Sequence, residues 1–219
     1  QALDVAQDRV SEKTFLNDHG APTVAFRCVG SPQEARAAAD ALGVPAILKT
    51  RRFGYDGKGQ AVVRSVEAAA AAFEQIGARP AILEAFAPFV RELSVIAARS
   101  VDGTVRAYPA GENIHEGGIL RETRAPARLS DATRAEALRI AETILAALDY
   151  VGVIGVELFE LEDGTLRVNE IAPRVHNTGH WTQDGCACDQ FEQHVRAVAG
   201  WPLGDPEPIV PARMVNLIG

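Results

Sequence analysis

Residues 153–171 read VIGVELFELEDGTLRVNEI, and this stretch predicts a β-hairpin from which the rest of the chain can be interpreted. Asp163-Gly164 is a strong signal for a two-residue turn between strands at residues 153–162 and 165–171. A turn of this length sets Glu157 opposite Glu170. Because side chains alternate along a strand, both glutamates share one face, which has the apolar character of a core face. The apolar residues predicted on that face are Phe159, Leu161, Leu166 and Val168.

The opposed pair Glu157 and Glu170 predicts a metal site. Directly opposed residues have Cβ atoms roughly 5 Å apart, so two ionised carboxylates repel unless a cation or a shared proton lies between them. Mg²⁺ prefers oxygen ligands and commonly takes one or two carboxylates, with waters and substrate phosphates completing its shell. We therefore predict Glu157 and Glu170 as Mg²⁺ ligands. The alternative is a register that slips through a bulge and leaves one glutamate exposed or paired with an arginine.

A glycine-rich segment, KTRRFGYDGKGQ at residues 49–60, lies between two predicted strands and has the features of an anion-binding loop. Gly54, Gly57 and Gly59 allow backbone N–H groups to approach an anion closely. Lys49 and Lys58, two of only three lysines in the chain, can neutralise phosphate charge. The spacing matches neither a Walker loop nor a dinucleotide fingerprint. Taken alone, the segment is equally typical of a mobile hairpin tip.

Helix and strand signals alternate along the chain and predict an α+β fold. One helix is marked by Ser31 as its N-cap, Pro32 in its first turn, Glu34 in a capping box and Gly43 after its end. The other predicted helices are at residues 9–17, between residues 65 and 77, and at residues 131–148. The other predicted strands are at residues 23–28, 46–49, 60–63, 81–84, 92–99 and 104–108.

A subdomain boundary is predicted within residues 77–88, which Gly77, Pro80 and Pro88 punctuate while a strand crosses the segment. We therefore predict a smaller subdomain at residues 1–83, carrying the glycine loop, and a larger one at residues 84–219, carrying the two carboxylates. Glu84 and Glu92 lie on either side of AFAPFVR, at residues 85–91. A nucleotide could lie between them, with backbone groups near Glu84 holding a base and a carboxylate accepting hydrogen bonds from ribose hydroxyls.

Composition argues against several classes of partner. The net charge of −7 provides no basic surface for nucleic acid. The chain has no apolar run of membrane-spanning length and no signal-peptide pattern at its start. Three cysteines without paired spacing favour a reducing compartment, the cytoplasm, and Cys186 and Cys188 are expected to be small buried residues. A chain that begins with Gln1 suggests that an N-terminal part is missing.

Four motifs carry a resemblance to a known family. They are GYDGKGQ at residues 54–60, ENIHEGGI at 112–119, NEIAPRVHNTGHWT at 169–182 and MVNLIG at 214–219. Their order resembles the ATP-grasp superfamily and, within it, the N5-carboxyaminoimidazole ribonucleotide synthetase family, over essentially the whole chain. The stretch at residues 172–182 is the most discriminating, because it combines rare residue types in one long ordered string.

The resemblance implies an ATP-grasp fold in which two α+β subdomains clasp ATP, with Mg²⁺ held by Glu157 and Glu170. The hairpin register, however, turns Asn169 to the face opposite Glu170, and strand twist could reconcile the two. The residues that the resemblance implies as ATP contacts are Lys49, Gly54, Tyr55, Asp56, Gly57, Lys58, Gly59, Gln60, Glu84, Ala85, Phe86, Ala87, Glu92, His115, Asn169 and Glu170.

The implied reaction begins with attack of bicarbonate on the γ-phosphate of ATP to give carboxyphosphate. Carbon dioxide released from this intermediate is captured by the amine of 5-aminoimidazole ribonucleotide, giving N5-carboxyaminoimidazole ribonucleotide, ADP and phosphate. Arg174 as an anion clamp, Tyr55 as a hydrogen-bond donor and His176 as a positioning or proton-transfer group are the candidates for the carboxyphosphate pocket. Arg174 could instead pair with Glu170 or Glu192, Tyr55 could pack in its loop, and His176 could cap a turn.

Members of the family normally carry a domain before this core and a small one after it. Because those domains would help to bind the ribonucleotide phosphate, this chain alone is expected to bind ATP but to turn over poorly. The resemblance also implies that the intact enzyme is a homodimer. Two alternatives remain at this point. One is another ATP-grasp ligase, such as formate-dependent glycinamide ribonucleotide transformylase or biotin carboxylase, and the other is an ATP-binding module without catalysis.

Overall fold

A computed structural model of the chain describes residues 2–54 and 59–218. Similar numbers of residues lie in helices and in strands. The helices are α1 (Ala2–Ala6), α2 (Arg9–Asp18), α3 (Pro32–Leu42), α4 (Ala68–Gln75), α5 (Asp131–Leu148), a 3-10 turn (Asn177–Gly179), α6 (Thr182–Gly185) and α7 (Gln190–Val198). The strands are β1 (Phe26–Val29), β2 (Ala46–Thr50), β3 (Gln60–Val63), β4 (Ala81–Ala85), β5 (Phe89–Arg99), β6 (Val105–Ala107), β7 (Gly111–Glu116), β8 (Ile119–Ala125), β9 (Gly152–Leu161), β10 (Leu166–Ala172) and β11 (Ala212–Val215).

The smaller sheet is four-stranded and antiparallel, in the order β1-β4-β2-β3. Helices α3 and α4 cover one face, where their alanines pack against Leu48, Val63 and Leu83. Ser31 caps α3 as predicted, accepting a hydrogen bond from the Glu34 N–H at 3.2 Å. The Glu34 carboxylate reaches the Gly30 N–H, at 2.6 Å, so the reciprocal bond of the predicted capping box falls one residue earlier than expected.

The larger sheet has seven strands, in the order β10-β9-β5-β7-β8-β11, with β6 paired to β5. One face packs on α5, whose buried residues include Ile140, Ile144 and Leu148, and this core also takes in Leu16 of α2. The predicted helix at residues 131–148 is confirmed, and Ser130 is its N-cap, accepting a hydrogen bond from the Thr133 N–H. The opposite face of the sheet is left for the site and for the segment that follows β10.

Part of that opposite face is covered by the 3-10 turn, α6 and α7. Trp181 is buried there and meets Tyr108 edge-on, with ring centroids 6.2 Å apart. Cys186 and Cys188 are buried in the same region without a disulfide, so the expectation that both are small buried residues is confirmed. Within the described residues, none of the helices is long and apolar enough to cross a membrane.

The β9–β10 hairpin differs from the predicted register near its turn. The loop has three residues rather than two, because the Leu161 N–H bonds to the Thr165 carbonyl and Leu166 pairs with Glu160. A left-handed glycine ending a three-residue loop is a common alternative to the two-residue turn, and Gly164 has a φ of 79°. The pairing therefore starts one residue away from the predicted alignment.

A β-bulge at Asn169 then shifts the pairing back by one residue. Beyond it, Glu170 lies opposite Glu157, as predicted, although the turn does not set this pairing directly. The predicted core face was wrong: Leu158 joins Leu166 and Val168 in the core, whereas Glu157 and Phe159 lie on the other face. The one-residue offset at the turn exchanges the two faces of β9 relative to the first half of β10.

The proposed division at residues 83 and 84 falls within β4, so a strand crosses it as expected. It stays a prediction. Leu16 and Ala21, which belong to the predicted smaller subdomain, pack in the core of the larger sheet. Helix α2 therefore packs in the core of the larger sheet although it precedes the predicted boundary.

Candidate functional site

A cavity of about 720 Å³ lies where the two sheets face each other. Lys49 and Glu84 reach it from the smaller sheet, and His115, Glu157 and Glu170 reach it from the larger one. All predicted site residues that the structure describes line this cavity. They are Lys49, Gly54, Gly59, Gln60, Glu84, Ala85, Phe86, Ala87, Glu92, His115, Glu157, Asn169, Glu170, Arg174 and His176. The predictions for Tyr55, Asp56, Gly57 and Lys58 lie outside the described residues.

The two opposed carboxylates experience different electrostatic environments. Burial and the charge of Glu170 raise the pKa of Glu157 to about 7. Burial also acts to raise the pKa of Glu170, but the charge and hydrogen bond of Arg9 together with the charge of Lys49 outweigh it, and the net pKa is lowered. Arg9 Nη1 lies 3.1 Å from Glu170 Oε2. Both earlier alternatives are thus partly realised, since the glutamates meet and one of them is also paired with an arginine.

Asn169 lies on the same side as the carboxylates, so the predicted opposite orientation was wrong. The bulge, and not strand twist, turns its side chain. Its Nδ2 donates a hydrogen bond to Glu157 Oε2 at 3.2 Å. Its Oδ1 is buried and has no hydrogen-bond partner among the residues that the structure describes. A buried polar oxygen without a partner is costly, so this atom is available for a ligand.

The donor set fits a hard cation. Two carboxylates and an orphaned amide oxygen converge, which is the kind of oxygen set that Mg²⁺ takes together with waters and phosphates. The described residues contain no cluster of three or more His, Cys, Asp or Glu side chains arranged for a metal. A site of this kind therefore requires oxygens from a bound phosphate or water to complete it.

Glu84 joins two lysines at the edge of the cavity. Lys49 Nζ lies 2.8 Å from Glu84 Oε2, and Lys13 Nζ lies 3.5 Å from Glu84 Oε1. Burial acts to raise the pKa of Glu84, but the charges of Lys49 and Lys13 outweigh it and lower the pKa. Glu84 is therefore a buried, ionised group rather than a solvated surface charge.

Glu92 and His115 form a second polar pair in the cavity. His115 Nδ1 lies 3.0 Å from Glu92 Oε2. Burial acts to lower the pKa of His115, but Glu92 outweighs this effect and the net pKa is raised. The two residues reach the cavity from adjacent strands, β5 and β7. This pair can present both a hydrogen-bond donor and a carboxylate acceptor to a ligand.

His176 is fixed firmly behind the carboxylates. Its backbone N–H donates to Gln190 Oε1 at 2.9 Å, and its Nδ1 lies 2.9 Å from the Thr178 hydroxyl. Burial lowers its pKa to about 4, so the ring is neutral near pH 7. Its Nε2 lies 3.8 Å from Glu157 Oε1. His176 occupies the N-cap position of the 3-10 turn, but its ring makes no capping bond.

Arg174 is exposed and lines the same cavity as Glu157 and Glu170. Its Nη1 donates to the Val175 carbonyl at 2.8 Å. The alternative pairings were wrong, because Glu170 is taken by Arg9 and Glu192 by Arg196. The Arg174 guanidinium therefore keeps donor capacity for an anion.

A second cavity, of about 440 Å³, adjoins the first. Arg9, Glu170 and Arg174 line both cavities. The second also receives Arg51 and Arg52, which follow β2 and bind the Asp8 carboxylate. Of the four arginines around this cavity, Arg9, Arg51 and Arg52 are paired with carboxylates, and Glu12 and Glu170 line the cavity as well.

Sequence reasoning missed Arg9, Glu12 and Lys13, all on α2. The helix was predicted, but none of its side chains was assigned to the site, whereas Lys13 is only 1% exposed and bonds to β10. The signal was present in the spacing, since Arg9, Glu12, Lys13 and Leu16 follow the i, i+3, i+4, i+7 pattern of one buried helix face.

A fold of two facing sheets, with a glycine loop on one and paired carboxylates on the other, is the arrangement expected of a nucleotide-dependent ligase. The model of the ATP-grasp domain matches residues 14–191, and the chain belongs to the ATP-grasp family. The predicted α+β ATP-grasp fold is thereby confirmed.

Individual proteins that are similar to this chain agree with the family indicated by the four sequence motifs. The chain is 52% identical over 220 residues to N5-carboxyaminoimidazole ribonucleotide synthase of Brucella melitensis, covering 100% of this chain and 61% of the relative. It resembles the crystal structure of carboxyaminoimidazole ribonucleotide synthase from Aspergillus clavatus complexed with ATP. There the TM-score is 0.95 and the identity 38%, covering 100% of this chain and 58% of that chain.

A second structure from Aspergillus clavatus, in complex with ADP and 5-aminoimidazole ribonucleotide, gives a TM-score of 0.93 at 36% identity, with the same coverage of 100% and 58%. The resemblance predicted from the sequence is confirmed by these matches. The chain spans about three fifths of the length of its relatives, namely 61% of the Brucella protein.

Proposed function

We propose that this chain is the catalytic core of an ATP-dependent ligase that carboxylates 5-aminoimidazole ribonucleotide with bicarbonate. The observation that carries the proposal is the convergence of Glu157, Asn169 and Glu170 in one cavity with Lys49. The names of the similar proteins support the substrate, since they are synthases of N5-carboxyaminoimidazole ribonucleotide. One similar structure holds ADP together with 5-aminoimidazole ribonucleotide.

The substrate ATP would lie in the larger cavity. We propose that backbone groups at the end of β4 and just after it, near Glu84 and Phe86, hold the adenine. Glu92 would accept hydrogen bonds from the ribose hydroxyls, and His115 would donate a hydrogen bond to the nucleotide. Lys49 would face the phosphates, and the backbone of the glycine loop would cover them. The residues assigned to these roles are Lys49, Gly54, Tyr55, Asp56, Gly57, Lys58, Gly59, Gln60, Glu84, Ala85, Phe86, Ala87, Glu92, His115, Asn169 and Glu170.

Glu157 and Glu170 would hold Mg²⁺, with the orphaned Asn169 Oδ1 directed at the same place. When bound, the ion would neutralise charge on the transferring phosphoryl group. Arg9 keeps Glu170 ionised and therefore ready to bind a cation. The raised pKa of Glu157 makes binding pH-dependent, because a proton must leave its carboxylate before it can act as a ligand.

In the proposed reaction, a bicarbonate oxygen attacks the γ-phosphorus, the bond to the ADP oxygen breaks, and carboxyphosphate forms. Carboxyphosphate then separates into carbon dioxide and phosphate. The amine of the acceptor attacks carbon dioxide, forms the new C–N bond and loses one proton. Arg174 would hold the carboxyphosphate as a bidentate clamp, and Tyr55 would donate a hydrogen bond to it. Neutral His176 can accept a proton through Nε2, which faces Glu157.

The acceptor would enter through the second cavity. Arg51, Arg52 and Arg174 line it, and their guanidinium groups suit the phosphate of a ribonucleotide. Since the two cavities share Glu170 and Arg174, an amine placed in the second would face the γ-phosphate position in the first. This arrangement would keep carbon dioxide near the group that captures it.

The wider context of the enzyme also belongs to this proposal. We propose that it acts in the cytoplasm, that the intact enzyme is a homodimer, and that further family domains help to bind the acceptor phosphate. The isolated 219-residue chain would then bind ATP but turn over poorly. Full carboxylation activity in the isolated chain would contradict that expectation.

The test of catalysis is Glu170→Gln in the full-length protein. We expect Mg²⁺-dependent phosphate release to fall at least about 100-fold, because the developing charge loses its support. Glu162→Gln is the matched control, since Glu162 is an exposed residue in the turn of the same hairpin. A wild-type protein that binds ATP without releasing phosphate would instead be a binding module.

The test of the acceptor is the compound that stimulates phosphate release. We expect release to rise sharply with 5-aminoimidazole ribonucleotide and bicarbonate. Stimulation by formate with glycinamide ribonucleotide would assign the chain to the other ATP-grasp ligase.

A further inference from the structure

Strand β10 is an edge strand of the larger sheet, and its outward backbone groups need partners that β9 cannot supply. The Val168 N–H donates to the Pro22 carbonyl at 2.7 Å, and two consecutive side chains of α2 serve the backbone groups beyond it. The Ile171 N–H donates to Glu12 Oε1 at 2.6 Å, and Lys13 Nζ donates to the Asn169 carbonyl at 3.0 Å. These two backbone groups flank Glu170 on either side in sequence.

The backbone groups held in this way belong to the bulge and to the residue just beyond Glu170. A bulge leaves one residue outside the regular ladder, and a slip of one residue exchanges the two faces of a strand. Without outside support, β10 could return to regular pairing, which would turn Glu170 away from Glu157. In the bulged arrangement the two α2 side chains bond to the Ile171 N–H and to the Asn169 carbonyl.

Glu12 and Lys13 are also buried to an unusual degree for ionisable residues. Glu12 is 2% exposed and Lys13 is 1% exposed. Burying such groups is costly, and a well-packed apolar pair would often stabilise the fold as well or better. Lys13 lines neither cavity described above, so its burial is not explained by ligand contact, whereas Glu12 reaches the second cavity. Its Nζ also lies 3.5 Å from Glu84, which connects β10 to the nucleotide side of the larger cavity.

We propose that Glu12 and Lys13 are positioning residues that clamp the bulge in β10 and so hold Asn169 and Glu170 toward Glu157. This inference rests on the proposed function for its meaning in catalysis, but the clamp itself is a property of the protein without ligand. Glu12 acts through its hydrogen bond to the Ile171 N–H rather than through its charge. Lys13 holds the carbonyl on the other side of Glu170.

Two mild substitutions separate hydrogen bonding from charge. Glu12→Gln keeps an oxygen at the same reach and removes the charge, whereas Glu12→Asp keeps the charge and withdraws the oxygen by one methylene. Both are to be made in the full-length protein. The first measurement is hydrogen exchange of the β10 amides without ligand, and the second is direct binding of Mn²⁺, a spectroscopic substitute for Mg²⁺, in the presence of ADP.

We expect Glu12→Gln to stay near wild type in both measurements. Glu12→Asp should expose the Ile171 amide to faster exchange and weaken Mn²⁺ binding by about tenfold or more, as for other residues that orient metal ligands. Lys13→Met should likewise weaken Mn²⁺ binding, and Lys13→Arg should restore part of it.

The opposite order, with Glu12→Asp near wild type and Glu12→Gln impaired, would overturn the clamp and indicate a role for charge. Faster exchange in Glu12→Asp with unchanged Mn²⁺ binding would show that Glu12 supports only the strand, and this result would also overturn the proposed positioning role. Absence of ADP-dependent Mn²⁺ binding in the wild type would contradict the proposed function. In that case the exchange measurement alone still decides whether the clamp exists.

Discussion

At the scale of single residues, the site depends on close approaches that leave no room for substitution. Gly155, in the middle of β9, faces the His176 side chain, and a Cβ built on Gly155 would lie 2.7 Å from His176 Cβ. The glycine therefore lets His176, four residues beyond the end of β10, pack directly on the strand that carries Glu157. The position of His176 is determined by this contact and by its bonds to Gln190 and Thr178.

Gly155→Ala should therefore displace His176. We expect a loss of about 1–3 kcal/mol in the free energy of unfolding, which is typical of overpacking in a tight interior. Phosphate release should fall as well, because the imidazole moves relative to Glu157. Urea denaturation and a phosphate-release assay measure the two effects, and normal values in both would show that the contact relaxes without consequence.

At the scale of elements, β11 depends on ion pairs with its neighbour. It has four residues and, among the strands that the structure describes, pairs with β8 alone, with Arg213 opposite Arg124. Glu122 lies between these two arginines, with Arg213 Nη2 at 2.5 Å from Glu122 Oε2 and a short contact to Arg124. The hydrogen bond from Arg213, helped by Arg124, lowers the pKa of Glu122 to about 2.

Glu122→Gln should loosen β11. Because the folded-state pKa of Glu122 is lowered, its stabilisation is present above the ordinary glutamate pKa of about 4.5 and is lost as the pH falls toward about 2. We expect the protection of the β11 amides against hydrogen exchange to fall in the variant at pH 7, and in the wild type below about pH 4. Glu116→Gln is the control, since the Glu116 side chain is 72% exposed. Equal protection in all three proteins would contradict the role of Glu122.

Most elements could be predicted from the sequence because their signals are local. The predicted bounds are correct or nearly correct for helix α5, for helix α3 between Ser31 and Gly43, and for strand β3. The hairpin shows the limit. The Asp-Gly signal indicates a turn, but whether the loop has two or three residues is decided by packing of the strands on the core, which the local sequence does not express.

The site was predictable in part for the same reason. Cavity residues that lie beside a glycine-rich segment or in a hairpin, such as Lys49 and Glu170, carry recognisable patterns. Arg9, Glu12 and Lys13 do not, because a charged helix face looks the same whether it meets water or a buried partner. Only the tertiary placement of α2 against β10 distinguishes the two.

At the scale of the whole molecule, α2 connects parts that are far apart in sequence. Asp8 caps it by accepting the Val10 and Ser11 N–H groups, and the same carboxylate binds Arg51 and Arg52 just before the glycine loop. The helix thus fixes the base of that loop at one end and β10 further along.

Asp8→Ala should affect stability and nucleotide binding together. We expect a loss of about 2 kcal/mol or more in the free energy of unfolding, from a lost N-cap and charge-assisted hydrogen bonds to partly exposed arginines. ATP affinity should weaken as the loop base loosens. Denaturation and equilibrium ATP binding measure both, with Glu142→Ala on the exposed face of α5 as the control. Loss of stability with unchanged affinity would separate the helix cap from the loop.

The turn and the bulge of the β9–β10 hairpin displace the strand pairing by one residue each, in opposite directions. Past Val168 the two displacements cancel, and the alignment is the one that a plain two-residue turn would have produced. An insertion or deletion at either place alone would therefore rotate Glu170 out of the cavity, whereas compensating changes at both would not. In the history of such a chain, the two irregularities can be acquired or lost only as a linked pair.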